Sequence, residues 1–354
     1  MKELTHVTGT FLIQAEGAFL NGAGLGAGED RNVTVPKMLQ RGRERLPYVS
    51  AQSWRRWLRN TVCDEEGWPV SELRAIDLSE KGTTNKICGE LNPVKFPEDD
   101  IFGYMRAEAG QGKVKKNDDE PGDDEDTAQS QRTRTKAVMR TSPFLSSILI
   151  SVRHNRCTTK DEGFVHLKEG TPLPYSTQFY NTDLQSVFSL DYSRLGRFVN
   201  IGDRIELDES KINEWMESGK LSLAEEGIYV LSDREVERKK RAGALLRAIS
   251  VLRGGAKQAA FGTDVAPKVI IAAGLSCGNP VFNDLFVCTD DGVKLKVDTL
   301  KDIVDDYSSR LVTPVYVGIR KGYLANEDEI SQMGEQFTIT TPVQAMSKLS
   351  EALP

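Results

Sequence analysis

His6–Ala15 reads HVTGTFLIQA and Ser50–Asp64 reads SAQSWRRWLRNTVCD, with the glycine loop NGAGLGAGED at Asn21–Asp30 between them. The first stretch is crowded with β-branched and apolar residues, which predicts a buried β-strand. The second opens with Ser50 at an N-cap position. It sets Trp54, Trp57, Leu58 and Val62 at i, i+3, i+4 and i+8, the apolar face of a helix from Ala51 to about Asp64. Arg55, Arg56 and Arg59 fall off that face. Strand, loop and helix make the opening half of a split βαβ unit.

Outward from this unit the pattern first breaks up. Gly67 to Arg140 holds a short apolar knot at Ile101–Met105, then the acidic run NDDEPGDDED at Asn117–Asp126, then a basic edge of Arg132, Arg134, Lys136 and Arg140. It reads as an insertion. A strand is predicted over Pro143–Arg153, PFLSSILISVR, and its partner over Leu184–Tyr192, LQSVFSLDY. About thirty residues separate them, too many for a hairpin loop, so a projecting excursion is expected with an apolar patch at Gly163–Leu167. Ser232-Asp233-Arg234-Glu235 fits a capping box for a helix to about Arg253, with Val236, Leu245, Ala248, Ile249 and Leu252 on its apolar side. Gly254-Gly255 stops it. Lys268–Leu275, KVIIAAGL, is another buried strand, followed by a strand over Val312–Ile319 and a helical tail over Pro342–Leu353. The core order, β–α–(insertion)–β–(excursion)–β–α–β, is that of an α+β, RRM/ferredoxin-like sheet with two helices on one face.

Bulk composition narrows the chemistry. A chain of 354 residues with 39% hydrophobic and 28% charged content is an ordinary globular protein, long enough to bury a core without staples. Its five cysteines, Cys63, Cys88, Cys157, Cys277 and Cys288, are an odd, scattered set with no CxxC, which argues against a disulfide framework and a paired-thiol zinc site. His6, His154 and His166 are the only histidines, and His154 with Cys157 is the one close pair of soft ligands. That is too few for tetrahedral zinc. No metal and no cofactor are expected. No segment approaches the ~20 apolar residues of a membrane span, and MKELTHVTGTFLIQAEG lacks the apolar run of a signal peptide, so the reducing cytoplasm is the expected location.

The net charge of −6 would disfavour a nucleic-acid partner if it were spread evenly. It is not. Asn117–Asp126 carries seven of the 52 carboxylates, and without them 46 basic residues face 45 acidic ones. Local clusters therefore decide. Arg55, Arg56 and Arg59 lie on the first helix, and RGGAKQAAFGTDVAP at Arg253–Pro267 adds Arg253, Lys257 and Gln258. Glycine turns and a few cations suit a sugar–phosphate track, although a solvated helix face explains the arginines equally well. The glycine loop is not GxGxxG leading into a helix, and it lacks a Walker lysine. There is no nucleophile elbow. Asp30 is the one candidate for metal-assisted cleavage, and a loop aspartate more often caps or solvates its turn.

Five blocks in order, THVTGTFLIQAEGAFLNG, PYVSAQSWRRWLRNTV, DDIFGYM, SVFSLDYSRLGRF and RGGAKQAAFGTDVAPKVIIAA, resemble the Cas-seven (DevR-like) family. These are backbone subunits of type I CRISPR interference complexes (Cascade), and the resemblance points to the I-B branch. The resemblance spans Leu4–Leu275. It implies a hand: an RRM-like palm from 1–66, 142–154 and 184–354, fingers at 67–141, and a thumb at 155–183. It further implies a non-catalytic, guide-RNA-binding subunit that forms a head-to-tail filament on CRISPR RNA. The filament would work with other Cascade subunits and present the guide for pairing with target DNA. RNA contacts are implied at Asn21, Gln52, Ser53, Arg55, Arg56, Arg59, Lys257 and Gln258, with Phe164 as a wedge at the thumb tip. Two alternatives stand beside it. One is a metal-dependent endoribonuclease subunit acting through Asp30, as type III relatives use a loop aspartate; the other is a general RRM-like RNA binder. The family pattern gives no role to the acidic run at 117–126.

Overall fold

The computed structural model describes residues 2–26, 33–78, 84–106, 137–153 and 158–354. Asp30, the acidic run at 117–126 and the His154–Cys157 pair lie outside them. The chain makes two compact units, each assembled from separated segments. Met1–Val70, Ser142–Gly196 and Asp233–Pro354 form the first; Ser71–Thr141 and Arg197–Ser232 form the second.

In the first unit the main elements are β1 (His6–Ala18), α1 (Ala51–Glu66), β2 (Leu173–Asp191), α2 (Arg234–Ser250), β3 (Val269–Leu275), β4 (Val315–Ile319), β5 (Phe337–Thr340) and α3 (Pro342–Glu351). They build a mixed α+β structure around one large sheet, ordered β5-β4-β3-β1-β2, then Leu149–Ser151, Glu44–Val49 and Met38–Arg41. β1 runs antiparallel to both neighbours, with Gly9 opposite Phe188 and Thr10 opposite Ile271.

Side-chain alternation divides β1 between two layers. Phe11 packs edge-on against Trp54 of α1 at 5.3 Å, and Trp54 against Phe144 at 5.8 Å. On the opposite face Leu12, Val269, Ile271 and Leu275 bury against Phe282, Leu285, Leu300, Val304 and Ile330, from the segment around β4. β3 is therefore covered on both faces, which is why its sequence is one unbroken apolar run.

Two expected strands differ in extent. Pro143–Arg153 is split into Phe144–Ser146 and Leu149–Ser151, because Ser147 turns its Oγ to accept the Val187 amide at 2.9 Å and interrupts the ladder. β2 is far longer than Leu184–Tyr192. Its 19 residues leave the sheet as one continuous strand, and its N-terminal half pairs with Thr158–Val165 to form a two-stranded arm. Eight paired residues make that arm roughly 27 Å long at ~3.4 Å per residue.

α2 starts one residue later than the capping box predicts. Asp233 occupies the N-cap position without a side-chain cap bond, and the Ser232 hydroxyl pairs with Ser222 instead. Val236 is exposed rather than part of the apolar side, while Leu245, Ala248, Ile249 and Leu252 are buried.

The second unit carries a six-stranded sheet ordered Leu221–Glu225, Ile228–Leu231, Arg197–Ile201, Arg204–Ile205, Val138–Arg140 and Tyr104–Arg106. The sequence assigns Arg197–Ser232 to the same body as the main sheet. The structure joins it to the insertion instead, because Ile205 pairs in parallel with Val138. Arg140 is not a basic edge residue. It is fully buried, with Nη1 on Glu206 Oε2 at 2.8 Å and on the Arg197 carbonyl at 3.1 Å, Nη2 on the Asp100 carboxylate, and its guanidinium 4.5 Å from the Phe198 ring centre.

Candidate nucleic-acid interface

Three turns meet beyond the C-terminal end of β1. Leu20 accepts the Ala256 amide at 2.9 Å through its carbonyl and donates its own amide to the Tyr180 hydroxyl at 3.2 Å. Asn21 Oδ1 accepts the amide of Ser50, the residue that opens α1, at 3.0 Å. The loop after β1, the start of α1 and the turn before β3 are thereby locked together.

The first turn of α1 has neither a side-chain cap nor an acidic residue. Ser50 Oγ bonds Ser53 Oγ at 2.9 Å, and Gln52 is exposed beside them. With no carboxylate competing for the leading amides, the positive end of a 16-residue helix is left available to an anion.

The turn before β3 brings a cation to this place. Gly254 has φ +149°, and a Cβ there would stand 2.3 Å from Trp57 Cγ, so only glycine lets the backbone rest on that indole. Lys257 follows in a left-handed conformation at φ 52°. Its Nζ bonds Thr177 Oγ1 at 2.8 Å and lies 5.0 Å from the centre of the Phe19 ring. Gln258 folds its side-chain amide back onto the Gly254 carbonyl.

The expected contact residues are thus distributed unevenly. Asn21, Gln52, Ser53, Lys257 and Gln258 gather around one locus. Arg56 is exposed on α1 and makes no hydrogen bond or ion pair among the described residues. Arg55 is committed elsewhere: its guanidinium donates to the Phe144 carbonyl and to Ser142 Oγ at 2.8 Å, and burial lowers its pKa from the ordinary arginine value. Arg59 is half-buried and engaged as well. Asn21 and Gln258 spend side-chain atoms on the scaffold, so they shape the locus as much as they face outward. Phe164 stands apart on the arm, 66% exposed, with Val165, Leu173 and Tyr175 also exposed nearby.

Sequence reasoning missed Phe19, Thr177 and Tyr180, which hold Leu20 and Lys257. No local signal marks them, since each acts on a residue far along the chain. Among the described residues no three His, Cys, Asp or Glu side chains gather as a metal would require, and no helix is long and apolar enough to cross a membrane.

No family model matches the chain, and no curated protein matches its sequence. Solved structures do match. A chain of a structure titled "CRISPR RNA-guided surveillance complex, pre-nicking" is 12% identical over 98% of this chain and 100% of its own, with a TM-score of 0.51. A chain of one titled "CRISPR RNA-guided surveillance complex" is 12% identical over the same shares, with a TM-score of 0.47. The likeness to the first is one of mixed α+β fold along almost the whole length.

Proposed function

We propose that this chain is a Cas-seven-type backbone subunit of a type I CRISPR RNA-guided surveillance complex, of the I-B branch. In this reading it binds guide RNA in the cytoplasm without catalysing a reaction. Copies tile head to tail along one CRISPR RNA, contact other Cascade subunits, and expose guide bases for pairing with target DNA.

The observation that carries the reading is the locus where Asn21, the start of α1 and Lys257 are fastened together. It offers a helix N-terminus, a held ammonium and small polar groups, the features that grip phosphates without reading bases. Supporting it, β3, β1, β2 and Leu149–Ser151 lie side by side in that order and pair antiparallel, as an RRM-like palm would require. The second unit takes the place of the fingers, and the arm that of the thumb, with Phe164 near its end as a wedge. The fold likeness to a chain of a surveillance complex agrees with this.

The test is to co-express the chain with a repeat–spacer transcript and examine the purified particle by electron microscopy and RNA sequencing. Regularly repeating protein on a protected transcript is expected. Incubation with complementary RNA and Mg²⁺ should leave that RNA whole. A monomer that carries no transcript defeats the proposal; regular cleavage of the complementary strand defeats its non-catalytic part.

A further inference from the structure

We infer that Arg153, Arg320 and Lys321 form a second phosphate-binding element, a row of cations that follows the backbone of a single RNA strand across the end of the first unit's sheet. This rests on the RNA-binding reading above and adds residues that the Cas-seven resemblance does not single out.

The row starts from a buried carboxylate. Asp183 in β2 is 1% exposed, and it accepts the Tyr323 hydroxyl at 2.5 Å on one oxygen and Arg153 Nε at 2.8 Å on the other. A buried carboxylate needs such partners. The consequence for Arg153 is directional. Anchored through Nε, its guanidinium keeps both terminal nitrogens without a hydrogen bond among the described residues, on a side chain 43% exposed. That is a preorganised fork of the kind that suits phosphate.

Tyr323 belongs to the turn that leaves β4, and the turn is itself fixed. The amides of Gly322, Tyr323 and Leu324 all donate to Glu327 Oε1, at 2.7, 2.9 and 3.3 Å. Arg320 is held by its amide on the Lys268 carbonyl at 2.8 Å. Arg320 and Lys321 are exposed, and among the described residues neither makes a hydrogen bond or ion pair through its side chain.

Strand order gives the row its length. Arg320 follows β4 and Arg153 follows Leu149–Ser151, with β3, β1 and β2 between them. Four interstrand steps of ~4.8 Å put the two ends roughly 19 Å apart. The turn bearing Lys321 bridges that interval, since Tyr323 reaches from the end of β4 to β2. Nearby acids are mostly consumed internally: Asp264 by Lys268 at 2.7 Å, Glu327 by three amides, Asp183 by Tyr323 and Arg153. Glu16 near Tyr323, and Asp328 and Glu329 just past the turn, are the exposed carboxylates the row must work beside.

The test titrates the full chain with a single-stranded RNA at several salt concentrations. Arg320→Gln/Lys321→Gln should weaken binding about tenfold and flatten the log–log salt slope by about 1.4, at ~0.7 for each lost phosphate contact. Tyr323→Phe keeps every charge but removes the hydroxyl that orients the Asp183 carboxylate, and with it the fixed direction of Arg153. It should weaken binding a few-fold with the slope nearly kept, and Arg153→Lys should retain more affinity than Arg153→Gln. If the unsubstituted chain binds and the double variant shows the same slope and affinity, the row is wrong while the RNA-binding reading stands. If the unsubstituted chain does not bind, both fall.

Discussion

Arg55 and Arg56 are adjacent in sequence and identical in chemistry, yet α1 commits Arg55 to the Phe144 carbonyl and Ser142 hydroxyl and leaves Arg56 exposed. Their alanine variants should separate accordingly. Arg55→Ala removes charged hydrogen bonds worth about 1.5–3 kcal/mol and should lower the melting temperature. Arg56→Ala should leave melting unchanged, weaken RNA binding, and reduce its salt slope by about 0.7. A thermal melt and a salt titration of each variant check both statements, and equal behaviour of the two would contradict the assignment. Helical periodicity reads out that Trp54 and Leu58 face inward. It does not say which flanking arginine finds a partner, because Ser142 and Phe144 lie nearly ninety positions downstream. The same limit hides Phe19, Thr177 and Tyr180, whose roles exist only once distant strands are paired.

Among the elements, glycine turns were legible as breaks but not as packing surfaces. Gly254-Gly255 reads as the end of a helix; the structure makes Gly254 the place where the backbone lies against Trp57. Gly254→Ala would force a Cβ into that indole at a φ that L residues rarely adopt. Overpacking of this kind costs about 1–3 kcal/mol, and the backbone strain adds to it. The variant should melt lower and also lose RNA affinity, since the same turn carries Lys257. Lys257→Gln, by contrast, should lose affinity alone. An unchanged melt for Gly254→Ala would show that the turn tolerates displacement. β2 teaches a related lesson. The sequence reading starts this strand at Leu184, yet Thr182 and Asp183 are buried inside the strand. Ser151 satisfies one, and Tyr323 with Arg153 the other. Tertiary partners of that kind leave no trace in local pattern.

At the scale of the whole molecule, the order of the main sheet's elements follows from patterning, whereas the make-up of the second unit does not. Val138–Arg140 looked like the basic margin of an insertion, and Arg197–Ser232 like part of the main body. What joins them is a short parallel pairing and one buried guanidinium. Arg140 neutralises Asp100 and Glu206, and Glu206 in turn holds the Val199 amide at 3.2 Å. Removing one partner from a buried ion pair costs about 3–5 kcal/mol, because an uncompensated charge is left behind. Arg140→Met takes the buried cation from Asp100, while Glu206 keeps Arg204 Nη2 at 2.6 Å, and it should destabilise the second unit by about 3 kcal/mol. Trp215 is the sole tryptophan of that unit, while Trp54, Trp57 and Trp68 belong to the first. Urea unfolding followed through Trp215 should therefore shift to lower concentration in Arg140→Met, with a smaller change in the signals of the other three. Adding Asp100→Asn and Glu206→Gln should recover much of the loss, since neutral amides tolerate the absence of a cation better than buried carboxylates do. If Arg140→Met alone unfolds at the parental urea concentration, the ion pairs contribute nothing net, and the apolar cluster of Phe198, Leu207, Ile212, Trp215, Leu221 and Leu231 holds that unit by itself.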